Sequence, residues 1–238
     1  MNKNTQKNLV KSIIFIITFM VILLINKKVN AKSYTIENMD IQATVLEEGS
    51  INIKQSITYN FNGSYNGIYI TIPYSLNDDQ AKEVNSSSKD YSLYNGNNVK
   101  INKIIDSKNV NYKEKDPLKN TQSNVDGRYE ITKDEEKYTI KVYSKSEYVK
   151  KTFILDYNIE NICVKHNDIG ELYYNFIGGK WDVGIKKLNI DILLPNNKSK
   201  ENLYAFGHGP YNGVVTIESP NKVNFKVNNV KKRSVCCC

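Results

Sequence analysis

Cysteine is nearly missing from this chain: four occur in 238 residues, and three of them are the last three. Cys163 stands alone in the body, so the paired, spaced cysteines of a disulfide framework are not there. Adjacent cysteines do not readily bridge each other, because disulfide geometry asks for Cα atoms about 5.5 Å apart with converging Cβ vectors. No cysteine precedes Cys163, which excludes a lipid-modified cysteine near the N-terminus. Histidine is as scarce, with only His166 and His208. A metal shared by those two would need further donors, and a site at Cys236, Cys237 and Cys238 would need thiolates at workable spacing plus other ligands. The reading is therefore no metal and no cofactor, with Cys163 as a small buried hydrophobe.

A surplus of one charge is also lacking once the N-terminus is set aside. The formal net charge is +8, but five of the 33 basic residues fall in the first 31 positions, where no acidic residue occurs. Residues 32–238 carry 28 basic against 25 acidic residues. That mixed surface offers no clustered basic face and no support for a nucleic-acid partner. Long apolar runs are missing as well, apart from one: Ile13 to Ile25, broken only by Thr18. Lys3, Lys7 and Lys11 precede it, and Val29-Asn30-Ala31 comes after it. A basic start, a short apolar centre and a small-residue exit predict a secretory signal peptide over residues 1–31. An apolar helix of about 13 residues is only about 20 Å long against a hydrocarbon core of about 30 Å. The bland alternative is an uncleaved anchor stretched by its flanking lysines.

From Ser33 onward the dominant period is two. In SINIKQSITYNF, Ile51, Ile53, Ile57, Tyr59 and Phe61 share one parity, while Asn52, Lys54 and Ser56 take the other. This is a strand with one buried face. The preceding segment runs Ile36, then Met39, Ile41, Ala43, Val45, and the slip between Ile36 and Met39 predicts a bulge or a break. Glu48-Gly49-Ser50 then turns a hairpin over residues 39–61. Alternation returns at 138–142, 153–159, 188–194 and 223–227, with shorter candidates at 68–72, 99–105, 128–131, 172–176 and 214–217. Residues 77–98 and 107–127 lack any pattern and read as surface excursions. No helical stripe occurs after the N-terminal segment. The expectation is an all-β domain, an antiparallel β-sandwich of immunoglobulin-like kind, over residues 32–230. Residues 231–238 read as a short basic and cysteine tail, a truncated or frameshifted end.

Chemistry concentrates in HNDIGELYYNFIGGKWDVGI, residues 166–185. Asp168, Glu171 and Asp182 could supply the two carboxylates of a glycosidase. Asn167, Asp168 and Gly170 are equally explained as turn residues bonding their own backbone. His166 is a candidate base or ligand. Tyr173, Tyr174, Phe176 and Trp181 could present a sugar-binding platform, or fill a core at about 2 to 3 kcal/mol each. A tight Gly178-Gly179 turn would let Trp181 pack back over it. Two more glycine–aromatic clusters stand at 61–69 and 205–213, the second carrying His208. If the three gather at one end of the fold, they form a ligand surface containing His166, Asp168, Glu171, Tyr174, Trp181, Asp182 and His208.

The segments FNGSYNGIYITIPY (61–74), DIGELYYNFIGGKWDVGI (168–185) and AFGHGPYNGVV (205–215), with the opening SYTIENMDIQATVLEEGSINIKQSITYNF, carry a resemblance. Over about residues 33–230 the chain resembles the bacterial predicted-membrane-protein family called domain of unknown function 2207, in its N-terminal extracytoplasmic domain. The resemblance implies export, a β-sandwich, membrane spans further on and no known activity. It also implies an Arg–acid pair after Gly67-Ile68-Tyr69, where this sequence has Ile70 and Thr71. The expectation is a non-enzymatic, membrane-associated or secreted domain of the cell envelope with a protein or polysaccharide partner. The rivals are a carbohydrate-active domain using Asp168, Glu171 or Asp182, and an architectural module of a membrane assembly.

Overall fold

The computed structural model describes residues 3–24, 31–75, 96–115, 126–178, 181–195, 199–232, 234 and 236–237. The chain divides into two compact units, Met1–Ala31 and Lys32–Cys238. The first is a helix, α1 (Lys3–Leu24). Its one polar residue inside the apolar run, Thr18, donates its hydroxyl back to the Ile14 carbonyl at 2.7 Å, so the hydroxyl is satisfied within the helix. Among the described residues no helix is long and apolar enough to cross a membrane.

The second unit is all-β. Its first five strands are β1 (Ser33–Val45), β2 (Ile51–Asn62), β3 (Ser64–Pro73), β4 (Asn98–Asp106) and β5 (Asn111–Glu114). Then come β6 (Arg128–Lys133), β7 (Lys137–Glu147), β8 (Lys150–Glu160), β9 (Val164–Lys165), β10 (Gly170–Glu171) and β11 (Asn175–Ile177). The chain closes with β12 (Ile185–Leu193), β13 (Val214–Ser219), β14 (Lys222–Val230) and β15 (Cys236–Cys237). Eleven of these form one sheet in the order β13-β14-β12-β1-β2-β8-β4-β5-β6-β7-β3. Two-residue β15 pairs with β11.

The all-β expectation holds, but the purely antiparallel one does not. β1 runs parallel to β12, and β5 runs parallel to β6, which makes the sheet mixed. Alternation tells which face of a strand is buried and is the same for both directions of pairing. The slip at Ile36 is a bulge: against β2, Ile36 pairs with Tyr59 and Met39 with Ile57, so β1 carries one extra residue. The same three-residue gap recurs in the next two strands. Ile36 and Met39 face Ile185 and Leu188, which in turn face Val230 and Val227, and all six are buried. Three neighbouring strands thus switch parity together and keep one apolar face continuous. Asn229, inside the gap of β14, takes the left-handed conformation at φ 56°.

The sheet folds back on itself around a single core. Tyr65 of β3, at one end of the strand order, lies 5.8 Å from Tyr34 of β1 and 5.1 Å from Phe61 of β2, ring centre to ring centre. The fold-back is pinned where β4, β5, β7 and β8 meet. There Lys151 Nζ pairs with Asp106 Oδ2 at 2.8 Å and donates to Ser144 Oγ at 2.6 Å. Tyr112 donates to the same Asp106 oxygen at 2.9 Å and lies 2.8 Å from Ser144 Oγ. The backbone N–H groups of Lys108 and Val110 complete the carboxylate's shell. Burial pushes the Asp106 carboxyl up, but these bonds outweigh it and hold it below the usual carboxylate range.

Candidate functional site

A cleft of about 420 Å³ opens where β1, β2 and β3 meet the segment after β11. That volume lies in the range of small-ligand clefts. Its floor is aromatic. Tyr59 and Phe61 stack on β2 with ring centres 5.5 Å apart and planes within 11° of parallel. Tyr34 tilts over Tyr59 at 5.8 Å and meets Tyr65 edge-on. Trp181 and Asp182 stand across from them, and Tyr69, Thr71, Glu136 and Lys137 form the rim.

Strand parity places Tyr59 and Phe61 on the core side of β2. At this end of the sheet the core opens, so the same parity delivers their rings to the cleft. Gly67 sits in β3 just past an irregularity in its pairing with β7. A Cβ there would come within 2.2 Å of the Val142 carbonyl oxygen, so the strands can approach this closely only with glycine at the position.

The electrostatics are uneven. Burial pushes the Tyr34 phenol up, and the nearby Asp182 charge adds to it, with Tyr65 contributing less. Burial, helped by Tyr34, pushes the Tyr59 phenol far above its ordinary value. Tyr59 is 2 % exposed, and its hydroxyl finds no hydrogen-bond partner among the described residues. An unmet buried hydroxyl costs about 1 to 3 kcal/mol. Asp182 is exposed and makes no ion pair among the described residues. Lys137, by contrast, is held by Asp134 at 2.9 Å.

The seven candidate residues from the sequence do not share one place. Trp181 and Asp182 line this cleft. Tyr174 is 1 % exposed: it packs edge-on against Phe176 and donates its hydroxyl to the Pro73 carbonyl at 2.8 Å. It belongs to the core, because the strand expected over 172–176 is interrupted and Tyr174 turns inward between β10 and β11. That removes the flat Tyr174–Trp181 platform. His166, Asp168 and Glu171 line a second cavity of about 580 Å³, beside the β1–β2 turn and Cys163. There His166 Nε2 lies 3.1 Å from Glu171 Oε2, across the β9–β10 hairpin. Asp168 and Glu171 are therefore separated from Asp182. His208 is exposed, with its ring 6.3 Å from that of Tyr173. Its glycine–aromatic loop packs Gly207 against Val215 and Phe225 of β13 and β14, at the far end of the strand order. The 61–69 and 166–185 clusters meet at the cleft, whereas the 205–213 cluster does not line it and touches the 166–185 stretch through the His208–Tyr173 ring contact. Of the Gly178-Gly179 turn, Gly179 lies outside the described residues.

Tyr34, Tyr59, Glu136 and Lys137 escaped the sequence reading of the site. Tyr34 and Tyr59 carry the parity of core residues, and nothing in a period of two marks where a core opens. Cys163 is half-buried, and burial pushes its thiol up to about 11, so it is a poor nucleophile at neutral pH. Ser144 beside Lys151 has the elements of a nucleophile and a base. However, Ser144 is 1 % exposed and Lys151 is held charged by Asp106, which makes the group structural.

The fold and cleft define an all-β domain built on a large mixed sheet with an aromatic ligand-sized opening. The chain belongs to the predicted membrane protein family DUF2207, whose N-terminal domain it matches over residues 35–235. No curated protein matches it. Similar solved structures include a putative nutrient binding protein from Legionella pneumophila (11 % identity, TM-score 0.44) and a putative protease from Parabacteroides distasonis (11 %, 0.42). An M1 zinc metallopeptidase from Deinococcus radiodurans is similar at 10 % and 0.41. Each match covers 86 % of this chain, which spans 66 %, 40 % and 42 % of those proteins respectively.

Proposed function

We propose that Lys32–Cys238 is a non-enzymatic interaction domain of a cell-envelope membrane protein, working outside the cytoplasm. In this reading α1 is the export signal, and a protein or polysaccharide of the envelope engages the aromatic cleft. The observation that carries it is the ligand-sized cleft itself, lined by Tyr34, Tyr59, Phe61 and Trp181 with Asp182 beside them. Membership in a predicted membrane protein family supports a place at the envelope.

A photo-crosslinking residue at position 69, on the exposed rim of the cleft, tests this in whole cells. Position 148, equally exposed at the β7–β8 turn, is the control. Crosslinking of one defined envelope component from position 69 and not from position 148 is the expected outcome. No adduct at 69, or the same adducts from both, would end the proposal.

A further inference from the structure

Resting on that reading of the cleft, we infer that its ligand is an extended peptide segment bearing a basic side chain, which pairs with the free edge of β3. β3 is the last strand in the order and, among the described residues, has a strand neighbour on one side only. Every second residue of such a strand turns its N–H and C=O away from the sheet, ready to pair with another chain. Gly67, Ile68 and Tyr69 all line the cleft although they alternate in parity. A cleft lined by both parities runs along the strand's edge and not over one face. The main-chain groups therefore look into it.

Edge strands are normally blunted by lysine, proline or an inward charge. β13, the opposite edge, is blunted in this way: Lys200 Nζ donates to the Ile217 carbonyl at 3.2 Å, and Glu218 comes next in the strand. β3 reads SYNGIYITIP, with no charge and its proline only at the last position. The Tyr174 bond to Pro73 covers that same end. From Gly67 to Ile72 the edge has no such protection among the described residues.

An extended main chain repeats donors and acceptors at the spacing of β3, whereas a sugar ring does not. This favours a peptide over a glycan. The charge favours a basic one. Asp182 is the acidic group at the mouth without an ion-pair partner among the described residues, and it stands beside Trp181 and Tyr34. A lysine or arginine side chain can lay its stem across these rings and set its charge against them and Asp182.

Trp181 is the only tryptophan, so its emission in the full chain reports on the cleft. Three short blocked peptides are titrated: one of alternating valine and threonine with a central lysine, the same peptide with glutamate there, and the lysine peptide with alternate amides N-methylated. Chitotetraose is a fourth arm. Saturable quenching by the lysine peptide is expected, with loss of binding on N-methylation. The glutamate peptide should bind at least about tenfold more weakly, because like charges facing each other across an interface are disfavoured. D182N, at an exposed position, should erase that difference. Equal binding of the N-methylated peptide overturns the edge pairing. An equal response to lysine and glutamate in the unaltered chain overturns the basic preference. If chitotetraose quenches and no peptide does, the peptide inference falls while the interaction domain stands. If nothing quenches, the inference falls, and the position-69 crosslink separately decides the broader reading.

Discussion

At the residue scale, two buried polar groups have opposite consequences. Asp106 and Lys151 satisfy each other, and removing one partner leaves the other charge buried and unpaired. D106N or K151M should therefore cost about 3 to 5 kcal/mol in urea unfolding. The folded-state shifts set the pH dependence. The Asp106 carboxyl is held below its ordinary value, so its contribution is present above the usual carboxylate pKa of about 4 and fades as pH falls through the folded value. Lys151 is pushed down by burial but raised overall by Asp106 and Tyr112, so its contribution fades only as pH rises past the lysine range. Acid unfolding of D106N, followed by circular dichroism, should have a shallower slope below about pH 4 than that of the unaltered chain. Tyr59 is the reverse case. Y59F removes an unmet hydroxyl and should raise stability by about 1 kcal/mol in thermal unfolding. A fall in stability would mean that the hydroxyl is already satisfied. None of these pairings was legible in the chain, since Asp106, Tyr112, Ser144 and Lys151 come from four different strands.

At the element scale, β3 combines a functional edge with a tight constraint. An added Cβ at Gly67 would meet a carbonyl oxygen at 2.2 Å, so G67A must push β3 away from β7. The expected loss is about 2 kcal/mol, typical of overpacking, with a shift in Trp181 emission as the cleft deforms. Unchanged stability and emission would show that β3 has room to move. Y174F loses the bond that ties the segment before β11 to β3, and should cost about 1 kcal/mol. Long alternating strands were readable: β1, β2, β7, β8, β12 and β14 fall where period two predicted them. β5 was not, because it lies within 107–127 and buries only Tyr112 of its four residues, too little to show a period. The strand expected at 172–176 is broken, since two adjacent tyrosines give no parity to follow.

At the scale of the whole molecule, one core implies one transition. Trp181 emission and far-ultraviolet circular dichroism of Lys32–Cys238 should give coincident urea curves, as expected of a single cooperative unit. An early change at Trp181 would show that the cleft end opens separately. β1 must find β12 far along the chain and pair with it in parallel, so folding should be slow for a domain of this size, in the range of seconds.

The sequence by itself determined which side of each long strand is buried, where β1 kinks, and that the domain is all-β, because apolar spacing on a single strand is a local property. The tertiary structure alone decided which strands are neighbours, that two of the pairings are parallel, and that Tyr34, Tyr59 and Phe61 end at a cleft while Tyr174 ends in the core. Those outcomes depend on where the sheet folds back, and that is set by contacts between residues far apart in the chain. A period of two records no partner, no direction and no place where a core meets solvent.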